Sequence, residues 1–391
     1  MISGWRETSL GAEVELIYGK GLPETERRAG PVAVFGSNGR VGWHDRPLVE
    51  GPGIIVGRKG SVGAVAFSDG PFWPIDTTYY VRNVGGHDWR FLYYLLKYLR
   101  LDTLNSDTAV PGLKRESALS IGVALPPHEE QVAIGDLLAR IERTAEIEGR
   151  AVATTRELKQ AAMQRFFTRG LGGEEQKETE IGPVPRSWDL YRIGDRCERP
   201  QYGVTASATT ERGGPQFLRI TDITDLGVDW STVPYCRCTE EEESQKILKS
   251  NDIVFARIGA TTGKSIIVSD PPRAVFASYL IRLRTKAGVD ADYLYHFFNS
   301  SAYWAQVNAN KGNNLKGGVS ASILSAMLFP VPPIDEQQEI ARLLNAIDHA
   351  TLAHQRKRMV VTELFDAVLQ ELMNGRMRVS ESTSAQGTSA A

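Results

Sequence analysis

The sequence predicts an α+β protein made twice over, with two similar globular modules separated by two long helices that pair with each other. Three observations predict it. A proline-led stretch recurs far down the chain at one offset, both copies carry a heptad spacing of apolar side chains, and the segments between them repeat short β-prone runs in the same order.

The recurrent stretch defines the helices. Pro126-Pro127-His128-Glu129-Glu130-Gln131 returns as Pro332-Pro333-Ile334-Asp335-Glu336-Gln337, an offset of 206. The register then runs without a gap through Ile141 and Ile347, Arg150 and Arg356, Glu157 and Glu363, to Gln164 and Gln370. Proline is tolerated in a first helical turn, where its missing N–H would have no partner anyway, and the acids that follow complement the positive end of the helix dipole. Gly170 and Gly375 supply the left-handed residue that closes a helix. Positions 134, 138, 141, 145, 152, 155, 162 and 166, and likewise 340, 344, 347, 351, 361, 365, 368 and 372, keep heptad steps, which is the seam of a helix pair. Its middle is polar, with Glu148, His354 and Arg358, so packing is expected to be tightest toward the helix ends.

The modules correspond more loosely. Trp5-Arg6-Glu7-Thr8-Ser9-Leu10-Gly11 resembles Trp188-Asp189-Leu190-Tyr191-Arg192-Ile193-Gly194. Pro31 to Phe35, Gly53 to Val56, Asp252 to Ala256 and Ser265 to Val268 are β-prone runs bounded by turn residues, and one helical patch follows in each module, Trp89 to Leu101 and Ala291 to Val307. The expected organisation is a first module over 1–125, a spacer helix over 126–170, a polar glycine-rich linker over 171–180, a second module over 181–331, a second helix over 332–376 and a small-polar disordered tail over 377–391.

Composition narrows the function. The 391 residues hold 45 Lys+Arg against 47 Asp+Glu, so the net charge of −2 gives no bulk attraction to nucleic acid. No apolar run reaches the roughly 18 residues of a membrane span, and no basic segment leads into an apolar one at the start. Three cysteines, Cys197, Cys236 and Cys238, form no Cys-x-x-Cys pair and fit a reducing cytoplasm. The six histidines are scattered, so no metal site and no catalytic residue is nominated. Gly259-Ala260-Thr261-Thr262-Gly263-Lys264-Ser265 has three residues between its glycines where a phosphate-binding loop requires four. Asp270-Pro271-Pro272-Arg273 has arginine where amino methyltransferases carry a base-stacking aromatic ring.

Loop chemistry suited to DNA remains. Gly36-Ser37-Asn38-Gly39-Arg40 joins a tight turn to hydroxyl, amide and guanidinium groups that can read base edges or phosphates. Gly57-Arg58-Lys59-Gly60-Ser61-Val62-Gly63 parallels Ala256-Arg257-Ile258-Gly259-Ala260-Thr261-Thr262-Gly263, and Lys264 follows the second. Lys311-Gly312-Asn313-Asn314-Leu315-Lys316 adds another basic turn. The candidate DNA-binding residues are Ser37, Asn38, Arg40, Arg58, Lys59, Ser61, Arg257, Thr261, Thr262, Lys264, Asn313 and Lys316.

With these motifs in hand, the sequence resembles the specificity subunit of a type I restriction-modification enzyme. The doubled Pro-Pro-x-x-Glu-Gln helix carries the resemblance, together with Val34-Phe35-Gly36-Ser37-Asn38-Gly39-Arg40-Val41-Gly42 and the Gly-Arg-Lys-Gly-Ser-Val-Gly segment. The resemblance implies two target-recognition domains, each reading half of a bipartite asymmetric site in double-stranded DNA. It also implies a pseudo-twofold, antiparallel coiled coil as the ruler between them, and a helix of about 40 residues spans roughly 60 Å. Two adenine methyltransferase subunits carrying S-adenosylmethionine and ATP-driven restriction subunits are the implied partners, with no cofactor in this chain. A coiled-coil adaptor with two ligand-binding modules and no specific DNA role is the competing reading.

Overall fold

Glycine, asparagine and aspartate turns cut the first module into short strands. In a computed structural model, which describes residues 4–104, 112–224, 227–259, 261–312 and 318–379, these are β1 (Arg6–Ser9), the helical turn α1 (Leu10–Glu13), β2 (Val14–Tyr18), β3 (Val32–Gly36), β4 (Gly39–His44), β5 (Gly53–Gly57), β6 (Val65–Ser68), β7 (Phe72–Pro74) and β8 (Thr78–Asn83). Helices α2 (Trp89–Tyr98) and α3 (Arg115–Leu119) and strand β9 (Gly122–Leu125) follow, before the long helix α4 (His128–Arg169). One sheet has the order β2-β8-β5-β6, all antiparallel; a second has β4-β3-β7, with β3 and β7 parallel; β1 pairs with β9.

The second module opens with β10 (Gln176–Lys177), β11 (Val184–Pro185), β12 (Asp189–Arg192), α5 (Ile193–Arg196), β13 (Gln201–Tyr202), β14 (Ala208–Thr209), β15 (Gln216–Leu218), β16 (Ile223–Thr224), β17 (Gly227–Val228), β18 (Tyr235–Cys236) and α6 (Glu240–Lys246). It continues through β19 (Ile253–Ala256), β20 (Ser265–Ile267), β21 (Ala274–Phe276), β22 (Leu280–Leu283), α7 (Ala291–Phe297), α8 (Ser301–Gly312), α9 (Ala321–Ala326) and β23 (Leu328–Val331) to the second long helix, α10 (Ile334–Met373). Its sheets repeat the first module's. The order β13-β22-β19-β20 answers β2-β8-β5-β6, the parallel pair β15 and β21 with β18 answers β3 and β7 with β4, and β12-β23 answers β1-β9; β14 is an added edge strand. The helical patch expected over Ala291 to Val307 is two helices, because the Ser300 hydroxyl accepts from the Tyr303 N–H at 3.3 Å and starts a new one.

The described chain divides into two units, one up to Glu148 together with the residues from Lys357, the other from Gly149 to Arg356. Each unit therefore holds one module and one end of each long helix. In the first, Ile54, Val56, Phe91, Leu92 and Leu95 share a core with Ile134 and Leu138 of α4 and Phe365, Leu369 and Leu372 of α10. In the second, Phe255, Ile281, Tyr293 and Phe297 share one with Met163, Phe167, Ile340 and Leu344. Both helix pairs run antiparallel. Glu130 meets Arg378 and Glu148 meets Lys357 in the first unit, while Lys159 meets Asp348 and the Leu171 N–H meets Glu336 in the second.

Apolar packing is concentrated at the helix ends. Glu148 is buried beside Lys357 at 2.5 Å, whereas residues 357–360 are exposed. In the C-terminal part of α4 the buried positions are Met163 and Phe167, one residue beyond the heptad positions 162 and 166, which are half-buried. A helix of 3.6 residues per turn drifts from a 3.5-residue repeat in this direction. Gly170 and Gly375 close the helices at φ +60° and +63°. No helix among the described residues is long and apolar enough to cross a membrane. The tail from Ser380 onward lies outside the described residues.

The Glu-Gln pair after each double proline binds helix to module. Gln131 Oε1 accepts from the Asp88 N–H at 3.1 Å and its amide donates to the Pro126 carbonyl at 3.0 Å; Gln337 repeats both bonds with Asp290 and Pro332, at 2.9 Å each. Asp88 and Asp290 in turn cap α2 and α7, accepting from Phe91 and Tyr293 at 2.8 and 2.9 Å. One buried glutamine thus fixes where a second helix begins.

Candidate nucleic-acid interface

In the first unit the β3–β4 turn and the β5–β6 loop come together. Gly57 donates to Ala64 O at 2.7 Å and Gly63 to Gly57 O at 2.8 Å, which closes the loop over Arg58, Lys59, Gly60 and Ser61. A Cβ on Gly57 would lie 2.0 Å from the Ser61 carbonyl and 3.1 Å from the Ser37 carbonyl, and Gly60, at φ +75°, lies beside the Ser37 hydroxyl, so glycine at both places lets the loop close against the β3–β4 turn. Ser37 and Ser61 are half-buried there, while Asn38, Arg40 and Lys59 are exposed. Arg40 lies over the exposed Trp43 ring at 4.6 Å.

Arg58 is held on both sides. Its N–H donates to Thr77 O at 2.9 Å, its carbonyl accepts from Leu113 at 3.0 Å, and its guanidinium donates to Asp76 O at 2.7 and 3.2 Å. The same guanidinium lies 5.3 Å above the ring of Tyr18, and Arg115 lies 5.6 Å from that ring. Burial, and then the Tyr18 hydroxyl beside it, push the Tyr79 phenol up to about 12, so it stays protonated and donates to Leu113 O at 3.3 Å.

The second unit repeats the loop. Ala256 donates to Lys264 O at 2.9 Å and Gly263 to Ala256 O at 2.9 Å; Gly263 and Gly259 hold φ +92° and +83°, against +74° and +75° at Gly63 and Gly60. Arg257 donates from its N–H to Tyr279 O at 3.1 Å, accepts from Val319 at 3.0 Å, and places its guanidinium 4.7 Å over Tyr202. Thr261 is half-buried and Lys264 exposed. Thr262 is 2% exposed, and its hydroxyl donates to Gly259 O at 2.7 Å, so this side chain holds the loop rather than facing solvent. Asn313 and Lys316 lie outside the described residues.

Sequence reasoning missed the aromatic partners. Tyr18-Gly19 ends β2 and Tyr202-Gly203 ends β13, and each glycine sits where a Cβ would lie 2.2 Å from Ile75 O or 2.0 Å from Phe276 O. The repeated Tyr-Gly at the same strand end is the signal that points to both rings.

Charge completes the picture. Arg40, Arg58, Lys59, Arg257 and Lys264 have no carboxylate partner among the described residues, although ion pairs are frequent elsewhere, such as Arg6–Glu13 and Arg284–Asp252. Cations left without counter-charge beside backbone N–H groups and hydroxyls suit a polyanion. No group of three or more His, Cys, Asp or Glu that could hold a metal occurs among the described residues.

Fold and site together define a duplicated module-and-helix protein with a matched basic loop in each module. The model of the type I restriction modification DNA specificity domain matches residues 30–154 and 185–362, and the chain belongs to this family. It is similar to the type I restriction enzyme MjaVIII specificity subunit of Methanocaldococcus jannaschii, 20% identical over 298 residues, covering 74% of this chain and 70% of that one. The EcoKI specificity subunit of Escherichia coli is 23% identical over 258 residues, covering 62% and 54%. In fold, the chain matches the crystal structure of a type I restriction-modification S subunit from M. genitalium with a TM-score of 0.71 at 14% identity, over 94% of this chain and 96% of that one. A second solved chain, from work on complex assembly of the type I restriction-modification system, matches with a TM-score of 0.52 at 16% identity, over 96% and 99%.

Proposed function

We propose that this chain is the specificity subunit of a type I restriction-modification complex and is itself non-catalytic. Each unit reads one half of a two-part asymmetric DNA site. The long helices carry two adenine methyltransferase subunits, which bring S-adenosylmethionine, and restriction subunits join with ATP. The observation that supports this most is the doubled loop: Arg58 and Arg257 occupy equivalent places in two modules, each beside cations that lack carboxylates. A duplicated reader suits a target in two parts.

The test is to express the chain with its adenine methyltransferase partner in a host free of other adenine methylation and to sequence the modified bases. A single bipartite motif is expected, and replacing residues 1–125 with the corresponding module of a relative should change one half of that motif only. Formation of the complex without any motif-specific methylation would reject this reading in favour of a protein–protein adaptor.

A further inference from the structure

Each of the two arginines lies over a tyrosine ring, at 5.3 and 4.7 Å. Arg58 also donates from Nε and one Nη to the Asp76 carbonyl, which leaves its other Nη group free to donate. Tyr18 is 53% exposed and Tyr202 38% exposed, each the last residue of the edge strand beside β8 or β22. Each faces the first residue of the short helix that follows: Arg115 of α3 lies over the Tyr18 ring, and the Ala321 N–H of α9 donates to the Tyr202 hydroxyl at 3.0 Å. The chain before those helices fixes the arginine backbone, through Leu113 to Arg58 and Val319 to Arg257. A ring beneath each guanidinium and an arginine backbone pinned from two sides limit where that guanidinium can sit.

Such confinement matters for one kind of contact more than another. A phosphate can be met from many directions by a mobile cation, so holding the plane adds little. A guanine edge presents two acceptors, O6 and N7, side by side in the major groove, and only a guanidinium whose plane is already aligned meets both without losing further side-chain freedom. We propose that Arg58 and Arg257 each read a guanine edge, one in each half of the target, with Tyr18 and Tyr202 as the positioning residues that set the guanidinium plane. This rests on the DNA-reading function proposed above.

The experiment uses the chain assembled with its methyltransferase partner and scores methylation of duplexes carrying each base at each target position. Arg58→Ala should cost roughly ten- to hundredfold in discrimination at one guanine of one half-site and leave the other half unchanged. Arg257→Ala should do the converse. Arg58→Lys and Arg257→Lys, which keep the charge and lose the fork, should relax the same positions, and they serve where an alanine variant fails to fold. Tyr18→Leu should relax the position that Arg58→Ala relaxes, and Tyr18→Phe should restore it; a merely structural tyrosine would lower total methylation without shifting base preference. A uniform loss at unchanged preference would make these phosphate contacts and overturn the proposal, as would no change at all. If the wild-type complex prefers no sequence, the recognition reading itself fails, and that outcome is separate from either.

Discussion

Trp188, fully buried at the start of the second module, donates its indole N–H to Glu336 of α10 at 3.2 Å. Trp5 does the same to Glu130 of α4 at 3.2 Å. In each unit the tryptophan that opens the module is tied to the glutamate of the doubled Pro-Pro-x-x-Glu-Gln sequence. The motif is therefore a structural joint, in which the glutamate takes the module's first ring and the glutamine sets its helix cap.

The second unit's joint should be sensitive to substitution. Glu336→Ala removes the acceptor of both the Trp188 indole and the Leu171 N–H, at 3.2 and 3.0 Å. Hydrogen bonds to a charged group contribute about 1.5–3 kcal/mol each, and a buried N–H left without a partner adds to the loss. A destabilisation of about 3 kcal/mol is expected, read as a fall in denaturant midpoint. Glu336→Gln keeps one acceptor oxygen and turns its NH2 toward the other N–H, so it should recover only part of that loss; an unchanged midpoint in both variants would remove the glutamate from the joint.

The helices and the duplication were legible because they rest on local periodicity. Pro126 and Pro332 mark the starts, Gly170 and Gly375 the ends, and the apolar positions between them hold register over both copies. Their burial partners were not legible: Met163 and Phe167 turn inward one residue past the heptad because the real helix drifts, which no seven-residue count contains. Arg58 and Arg257 were found by their glycine-rich setting, but Tyr18 and Tyr202 sit some 40 and 55 residues upstream on other strands, and only sheet pairing brings them beneath the guanidiniums. Thr262 was misplaced for a similar reason. Its hydroxyl satisfies a carbonyl of its own turn, a local bond that composition does not distinguish from a ligand contact.

Gly63 offers a test of the loop apart from its charge. It holds φ +74°, and a Cβ there would lie 2.2 Å from the Asp102 N–H nitrogen, a backbone atom that cannot move aside alone. Gly63→Ala must therefore shift the β5–β6 loop or the segment at Leu101, and both left-handed backbone and overlap oppose it. Loss of half-site recognition in the first module is expected even though no ligand-facing group is removed. Gly122→Ala, with open space at its Cβ, is the control and should leave recognition intact.

Acid should loosen the second unit before the first. Burial, and next the Lys159 ammonium, hold the His296 imidazole down to about 4. Its Nε2 is bonded to Asn345 at 2.8 Å, its Nδ1 has no hydrogen-bond partner, and Asp348 lies 4.0 Å away, already paired with Lys159 at 2.6 Å. Because the folded value is below the unfolded one, the unfolded chain binds the extra proton between about pH 6.5 and 4. Stability from this group is complete above that range and is lost as pH falls through it. In the first unit, the Arg6 guanidinium holds the Glu13 carboxyl at about 2, so its contribution persists until pH falls below the ordinary carboxylate range, from about 4.5 toward 2. Melting curves between pH 7.5 and 4.5 should show a low-temperature transition that moves in wild type and stays nearly fixed in His296→Gln.

Leu344 and Leu364 share one helix and one residue type but differ in burial. Leu344 is fully buried in the second unit's core with Met163, Phe167 and Tyr293, whereas Leu364 is 49% exposed. Leu344→Ala removes methyl groups from a filled core, a change that costs about 2–5 kcal/mol through lost burial and the cavity left behind. Leu364→Ala removes little buried area and should stay within about 0.5 kcal/mol. A helix anchored at its ends and open in its middle predicts this contrast in unfolding midpoints. Equal losses for Leu344→Ala and Leu364→Ala would place Leu364 in a packed environment and overturn this contrast.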